Sequence, residues 1–178
     1  MKKFLHLIVS LSLICGVCAA VLAYVNRVTK DAIREAATEK SRAAVRAVLP
    51  SEAVSLEAIG EDVFVGRDAL GKPVGYAAKG VGTGGYGGDI VLMAGFRADG
   101  ETLVAYRTLA ASETPGLGMK LNAPEFADQF ADKDARTLAV RKDGGAIEAI
   151  TSATITSRAV CRALADAQAR LASVREGH

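Results

Sequence analysis

Five hydroxyl side chains occur within seven consecutive residues, Thr151 to Ser157, directly before a predicted closing helix. A single Ser or Thr is enough to cap a helix start, because one side-chain oxygen accepts from one free backbone N–H. The other hydroxyls, with the remaining free N–H groups and the positive end of the helix dipole, favour binding of a phosphate. The segment is therefore interpreted either as a phosphate site or as a helix cap alone.

A second candidate site is the loop Glu113–Gly118, which reads ETPGLG and follows a predicted strand. Consecutive Pro and Gly favour a type II turn with Gly116 in the left-handed region. Such a turn would present backbone N–H groups, the Thr114 hydroxyl and the Leu117 side chain at a sheet edge. This combination suits an uncharged aromatic heterocycle, which needs both hydrogen bonds and an apolar contact. The alternative is an ordinary connecting loop.

The segment Gly82–Gly87 reads GTGGYG and matches the dinucleotide-binding pattern GxGxxG. That pattern requires a helix after the glycines, because the helix N-terminus receives the pyrophosphate. Here the residues Asp89–Leu92 predict a strand, so a dinucleotide site is disfavoured. A glycine-rich turn into a hairpin remains, as does a close approach of the backbone to a planar ligand near Tyr86.

The three Cys and two His residues offer little support for a metal site or a catalytic nucleophile. Cys15 and Cys18 form a CxxC inside an apolar segment, and Cys161 lies in a predicted helix, so neither a disulfide framework nor a zinc site is predicted. The CxxC has redox-pair spacing, but its apolar surroundings favour two small hydrophobes. His6 and His178 lie near the chain ends and suit no catalytic triad.

The charge balance excludes a nucleic-acid partner. The chain has 22 Lys and Arg against 20 Asp and Glu, and the net charge of +2 is accounted for by Lys2 and Lys3. The rest of the chain therefore has no basic excess with which to bind phosphate backbones.

The first 25 residues predict a membrane anchor. The segment Phe4–Val25 has 22 residues without an Asp, Glu, Lys or Arg, and as a helix it would span about 33 Å. A cleaved secretory signal is the alternative, although signal cores are typically about 7 to 15 apolar residues. Basic residues lie on both sides of the segment, so charge alone leaves the orientation open.

Periodicity predicts an α+β domain beyond the anchor. A helix emerging from the membrane is expected over residues 26–50 and a folded domain with a mainly antiparallel sheet flanked by helices over 51–178. Asp99-Gly100 indicates a hairpin. The strands are predicted at Asp62–Val65, Val74–Ala78, Ile90–Phe96, Thr102–Leu109 and Thr137–Val140, and the further helices at Pro124–Phe130 and Ser157–Val174.

Three strings occur in one order along the chain: GYGG at Gly85–Gly88, ETPGLG at Glu113–Gly118 and ITSATITSRAV at Ile150–Val160. Together they resemble the G subunit of the Rnf electron-transport complex, whose family is related to the C subunit of the sodium-pumping NADH:quinone reductase. The resemblance covers nearly the whole chain. The chain is short and lacks the additional segments of the sodium-pump protein, which favours the Rnf family.

The resemblance implies a covalent cofactor. In that family the last Thr of an S/T-G-A-T/S-x-T motif holds FMN through a phosphoester, made by a separate flavin transferase that consumes FAD, and that Thr corresponds to Thr156. Ser152 stands where the motif usually has Gly, and we expect it to be accepted because Ser is small. The family often has a His shortly before ETPGLG, where this chain has Ala110–Ser112. The implied cofactor-binding residues are Thr151, Ser152, Ala153, Thr154, Thr156, Glu113, Thr114, Gly116, Leu117, Gly118 and Tyr86, with no residue predicted to be catalytic.

The resemblance also implies the function and its setting. The chain would carry electrons within a membrane ion-translocating ferredoxin:NAD oxidoreductase, with other membrane subunits and the surrounding lipid as partners. It would be a single-pass inner-membrane protein with its C-terminal domain in the periplasm. The alternatives are a membrane-tethered flavoprotein reductase acting alone, the equivalent subunit of the sodium pump, and an anchored assembly module whose hydroxyls only cap a helix.

Overall fold

A computed structural model describes residues 2–176. Met1, Gly177 and His178 lie outside the described residues, as do the side chains of Lys2, Lys3 and Leu5, so the predicted basic start of the anchor is described only as backbone. By its internal contacts the chain forms two units, one up to Glu39 and one from Lys40.

Helix α1, Lys2–Val48, runs without a break through the apolar segment and the predicted helix that follows it. Between His6 and Val48 it has an 18-residue window of mean hydropathy 2.5, none of it buried, so it can cross a membrane by length and composition. A signal sequence would satisfy the same criterion. Cys15 and Cys18 are exposed on this helix.

The second unit is built on a five-stranded antiparallel sheet whose strands are neighbours in chain order. Helices flank the sheet, so the predicted α+β class is confirmed. Asp99-Gly100 joins the strand that ends at Arg97 to the strand that begins at Leu103, with Gly100 at φ +77°, as the hairpin prediction requires. The elements are β1 (Ser55–Gly60), β2 (Val63–Arg67), β3 (Pro73–Gly85), β4 (Gly88–Arg97), β5 (Leu103–Ala110), α2 (Pro124–Ala127) and α3 (Thr154–Glu176).

Two apolar clusters cover opposite faces of the sheet, because successive strand side chains point to alternate sides. On one face the last turns of α1 contribute Ala44, Val45 and Val48, which pack with Ala77 and Met93. On the other face α3 packs over the sheet. This larger cluster includes Val63, Ala78, Ile90, Leu92, Phe96, Tyr106, Leu121, Phe130, Val160, Leu164 and Leu171.

Helix α3 lies directly on the backbone of β3, where glycine removes the side chain that would separate them. A Cβ built on Gly80 would lie 1.9 Å from the carbonyl oxygen of Ala163, and one on Gly82 would lie 1.9 Å from that of Ala159. Any larger residue would therefore force the helix away from the sheet. These two glycines fix the height of α3 above the sheet, and with it the height of the first turn of α3.

Several sequence-based boundaries need correction. The strand predicted at Thr137–Val140 is wrong: Ala135–Thr137 is a 3₁₀ turn started by the Asp134 side chain, and Val140 makes a single bridge with Ile147. Strand β1 was not predicted, because its side chains are exposed apart from the half-buried Ile59 and show no alternation. Helix α3 begins at Thr154, three residues before the predicted start.

Candidate functional site

A cavity of about 490 Å³ opens where three separate segments meet. Tyr86 comes from the turn between β3 and β4, the loop after β5 supplies a second wall, and the start of α3 supplies the third. The lining residues are Tyr86, Glu113, Thr114, Leu117, Gly118, Ser152, Ala153, Thr154, Ile155 and Thr156. The fold thus brings together three segments, of which the first and second are 26 residues apart in the sequence and the second and third are 43 apart.

A buried contact between Thr156 and Glu113 joins two of these segments. Thr156 lies in the first turn of α3 and is 1% exposed, and Glu113 is 6% exposed. The hydroxyl Oγ1 of Thr156 donates to Oε2 of Glu113 at 2.8 Å. The other carboxylate oxygen, Oε1, accepts from the backbone N–H of Gly87 at 3.2 Å. One carboxylate therefore connects the hairpin turn, the loop and the helix.

The ETPGLG loop is a tight turn with mostly exposed residues. Gly116 has φ +76°, which confirms the predicted left-handed position. The N–H groups of Leu117 and Met119 both donate to the carbonyl oxygen of Thr114 at 3.2 Å. Gly118 packs against the buried pair, since a Cβ built on it would lie 2.4 Å from Oε2 of Glu113 and 3.0 Å from Oγ1 of Thr156. The turn is thereby held close to the Thr156 hydroxyl.

The five clustered hydroxyls have different surroundings. Ser157 is fully buried, where its Oγ accepts from the N–H of Ile150 and donates to the carbonyl oxygen of Ala153, both at 3.0 Å. These bonds connect α3 to the segment before it, but they do not cap the helix, because the accepted N–H belongs to Ile150 and not to the first turn. Thr156 contacts Glu113, Thr154 is half-buried in the cavity wall, and Thr151 and Ser152 are exposed. Of the five residues, Ser152, Thr154 and Thr156 line the cavity.

The backbone at Ser152 is in the left-handed region, with φ +64°. Glycine adopts this conformation without strain, whereas an L residue is disfavoured there by about 1–2 kcal/mol. The φ angle at residue 152 is therefore one that favours glycine. The acceptance of Ser152 by a flavin transferase, expected from its small size, stays a prediction.

An ion pair outside the cavity also holds the start of α3 in position. Arg158 donates through Nε and Nη2 to the two carboxylate oxygens of Asp143, each at 2.7 Å. Hydrogen bonding from Arg158 lowers the pKa of Asp143 below its usual value. Both side chains are partly exposed, so this pair positions the turn more than it stabilises the domain.

Most of the residues predicted from the sequence line this one cavity, and two do not. Thr151 lies in the wall of a neighbouring cleft, and Gly116 is at the exposed tip of its turn. Ile155 was missed, although it lies in the cavity wall and is 49% exposed. The sequence did contain a signal for it, since Ile155 is an apolar residue between Thr154 and Thr156.

The cavity combines apolar and hydroxyl-bearing walls with a single formal charge. Among its ten described lining residues, Glu113 alone carries a charged side chain. Tyr86, Leu117 and Ile155 offer apolar surface to a ring, and the start of the 23-residue helix α3 offers a positive dipole end. The volume is in the range of sites for small ligands and cofactors. Among the described residues, no group of three or more His, Cys, Asp or Glu side chains is arranged to hold a metal.

The sequence pattern of the FMN-binding domain family matches residues 85–169 of this chain. These residues include the hairpin turn, the loop and the start of α3. The chain is 33% identical to the G subunit of the ion-translocating oxidoreductase complex of Methanosarcina acetivorans, over 92% of each chain. It is 32% identical to the G subunit of the Na⁺-translocating ferredoxin:NAD⁺ oxidoreductase complex of Acetobacterium woodii, over 84% of this chain and 83% of the relative. The chain belongs to the G-subunit family of ion-translocating oxidoreductase complexes.

Solved structures support the same fold. The crystal structure of Shewanella oneidensis NqrC covers 68% of this chain and 72% of its own, with a TM-score of 0.50 and 20% identity. The C subunit of the Na⁺-translocating NADH-quinone reductase of Parabacteroides distasonis gives a TM-score of 0.51 at 26% identity, covering 63% of this chain and 61% of its own. The G-subunit relatives confirm the recognition of this family from three short strings.

Proposed function

We propose that this chain is the electron-carrying flavoprotein subunit of a membrane ferredoxin:NAD oxidoreductase that translocates ions, with FMN attached through a phosphoester to Thr156. The observation that carries the proposal is the position of Thr156. Its hydroxyl-bearing side chain lies in the first helical turn and in the cavity wall, within the residues matched by the FMN-binding family. The G-subunit relatives supply the complex in which such a carrier works.

The residues of the cavity fit the two ends of FMN. The start of α3, with Thr154 beside Thr156, suits the phosphate, because helix N-termini stabilise anions. Tyr86, Leu117 and Ile155 are exposed apolar side chains that suit the ring system. The flavin supplies one-electron and two-electron transfer, while the protein supplies its position and surroundings.

Attachment requires a transfer reaction that the chain does not perform alone. In this proposal a flavin transferase uses FAD as co-substrate. Oγ1 of Thr156 forms a bond to the phosphorus of the FMN half, the phosphorus–oxygen bond to the AMP half breaks, and AMP leaves. The hydroxyl proton is released to the transferase or solvent. No electrons change hands in this step.

The test is the covalent adduct itself. The full chain, expressed with a flavin transferase, should retain fluorescence after denaturation and show the mass of one FMN. Thr156→Ala should abolish the adduct, because it removes the only hydroxyl at that position, whereas Thr156→Ser should retain some. Thr151→Ala is the matched control, since Thr151 belongs to the same cluster of hydroxyls but lies outside the cavity wall, and it should keep the adduct. A wild-type chain without an FMN adduct would refute the proposal.

The proposal includes a membrane setting. The apolar helix and the family fit a membrane-anchored protein, and we propose a retained single-pass anchor in the inner membrane with the domain on the periplasmic side. A reporter that is active only outside the cytoplasm, fused to the C-terminus, should be active. Copurification with multispanning subunits should accompany it, and its absence would favour a reductase that acts alone.

A further inference from the structure

The acceptor hydroxyl is covered in this structure. Thr156 is 1% exposed, its Oγ1 donates to Oε2 of Glu113 at 2.8 Å, and the backbone of Gly118 packs against the pair. A nucleophilic oxygen must come within about 3–3.5 Å of the atom that it attacks, along an open approach. Glu113 and Gly118 occupy space directly beside Oγ1. The arrangement is therefore a closed form of the attachment site.

The covering loop has the features of a segment that opens locally. Thr114, Pro115, Gly116 and Leu117 are exposed, and the turn is closed by hydrogen bonds to its own Thr114 carbonyl oxygen. Segments with few buried contacts open at a lower free energy than the core. The Glu113 side chain is what fastens this loop to α3 and to the hairpin turn, through Thr156 and Gly87.

Charge gives a second reason for the loop to move. Glu113 is the acidic side chain among the described lining residues. A buried carboxylate beside an incoming phosphate is a like-charge contact, which is strongly unfavourable where little water separates the groups. With Glu113 in its observed place, the cavity both covers the hydroxyl and repels the group that must reach it.

We infer that Glu113 is a latch on the acceptor: FMN attachment to Thr156 requires Glu113 to release the hydroxyl and the 113–118 loop to move away from the first turn of α3. This inference rests on the proposed function. Attachment also removes the hydroxyl hydrogen, so Oε2 of Glu113 loses the donor that it has in the closed form. The loaded chain cannot re-form the same contact, and the modification holds the latch open.

The test compares attachment rates on the purified full chain, with flavin transferase and FAD, followed by intact mass. Glu113→Gln keeps the size of the side chain but replaces a charge-assisted hydrogen bond with a weaker neutral one. We expect it to accelerate attachment about fivefold to tenfold, because the open form becomes more populated. Glu113→Ala should accelerate it further. Amide exchange at Gly87 should also become faster in Glu113→Gln, since that N–H donates to the same carboxylate.

Tyr106→Phe is the matched control for general destabilisation. It removes the buried hydrogen bond from the Tyr106 hydroxyl to the Leu121 carbonyl oxygen, on a residue outside the cavity wall. It should lower thermal stability without accelerating attachment. The latch is refuted if Glu113→Gln attaches flavin at or below the wild-type rate, or if Tyr106→Phe accelerates attachment equally. Absence of adduct from every variant and from wild type would instead refute the proposed function.

Discussion

Replacing Ser152 with glycine should stabilise the domain, although it removes a side chain. Ser152 has φ +64°, one of three positive φ values among the described non-glycine residues. The left-handed region is unfavourable for an L residue by about 1–2 kcal/mol. Glycine relieves that strain but makes the unfolded chain more flexible, which opposes the gain by about 0.5–1 kcal/mol.

The expected net increase in the free energy of unfolding is about 0.5–1 kcal/mol, the difference between these two terms. For a chain of this size that corresponds to a rise of roughly 1–4 °C in Tm. Ser152 is exposed, so little packing is lost with its side chain.

Thermal unfolding of the full chain in detergent, followed by circular dichroism, measures the effect. Ser152→Ala is the matched control, because it removes the hydroxyl and keeps the Cβ strain, and it should be no more stable than wild type. Equal stabilisation by Ala and Gly would show that the hydroxyl, and not the backbone, is unfavourable. A Ser152→Gly chain less stable than wild type would refute the strain argument altogether.

The packing and titration of three other residues can be tested in the same way. Gly82→Ala should lower the free energy of unfolding by about 2–3 kcal/mol or more, because the added Cβ would lie 1.9 Å from the Ala159 carbonyl oxygen. Near-wild-type stability in a denaturant titration would contradict this expectation. Gly116→Val should cost about 1–3 kcal/mol by backbone strain alone, since no atom lies within 4 Å of its Cβ position, and calorimetry would detect the loss. Burial raises the pKa of the Cys161 thiol from 9.0 to about 11, so its native alkylation at pH 8, resolved by peptide mass, should be about 100-fold slower than after unfolding. Because the pKa of this thiol is higher in the folded state than in the unfolded state, its contribution to the free energy of unfolding is complete below pH 9 and is lost as pH rises through 11. A native Cys161 as reactive as the unfolded thiol would contradict this burial.

The sequence alone predicted the local backbone conformation where a pair of residues strongly favours one type of turn. Pro115-Gly116 predicted a left-handed glycine, Asp99-Gly100 predicted a hairpin, and both were confirmed. The clustering of the three motif segments around one cavity followed from the family resemblance and not from residue spacing. Their approach depends on sheet pairing and on α3, which are long-range contacts that periodicity alone does not encode.

The parts that were missed depend on tertiary context. Strand β1 lacks alternation because its side chains are mostly exposed, and residues 137–140 resemble a strand but make a single bridge. Glu113 was predicted to bind the cofactor as part of a string, yet its contact with Thr156 joins residues 43 positions apart. The φ angle of Ser152 could not be inferred from its type, since Ser rarely adopts it.

The two glycines under α3 also limit where Thr156 can lie relative to the sheet. With helix backbone resting on strand backbone at Gly80 and Gly82, there is no flexible side-chain layer between them that could be compressed or sheared. A shift of α3 toward the sheet at these positions would therefore bring backbone atoms into collision. Thr156 lies in the first turn of this closely packed helix, whereas the loop opposite it is mostly exposed.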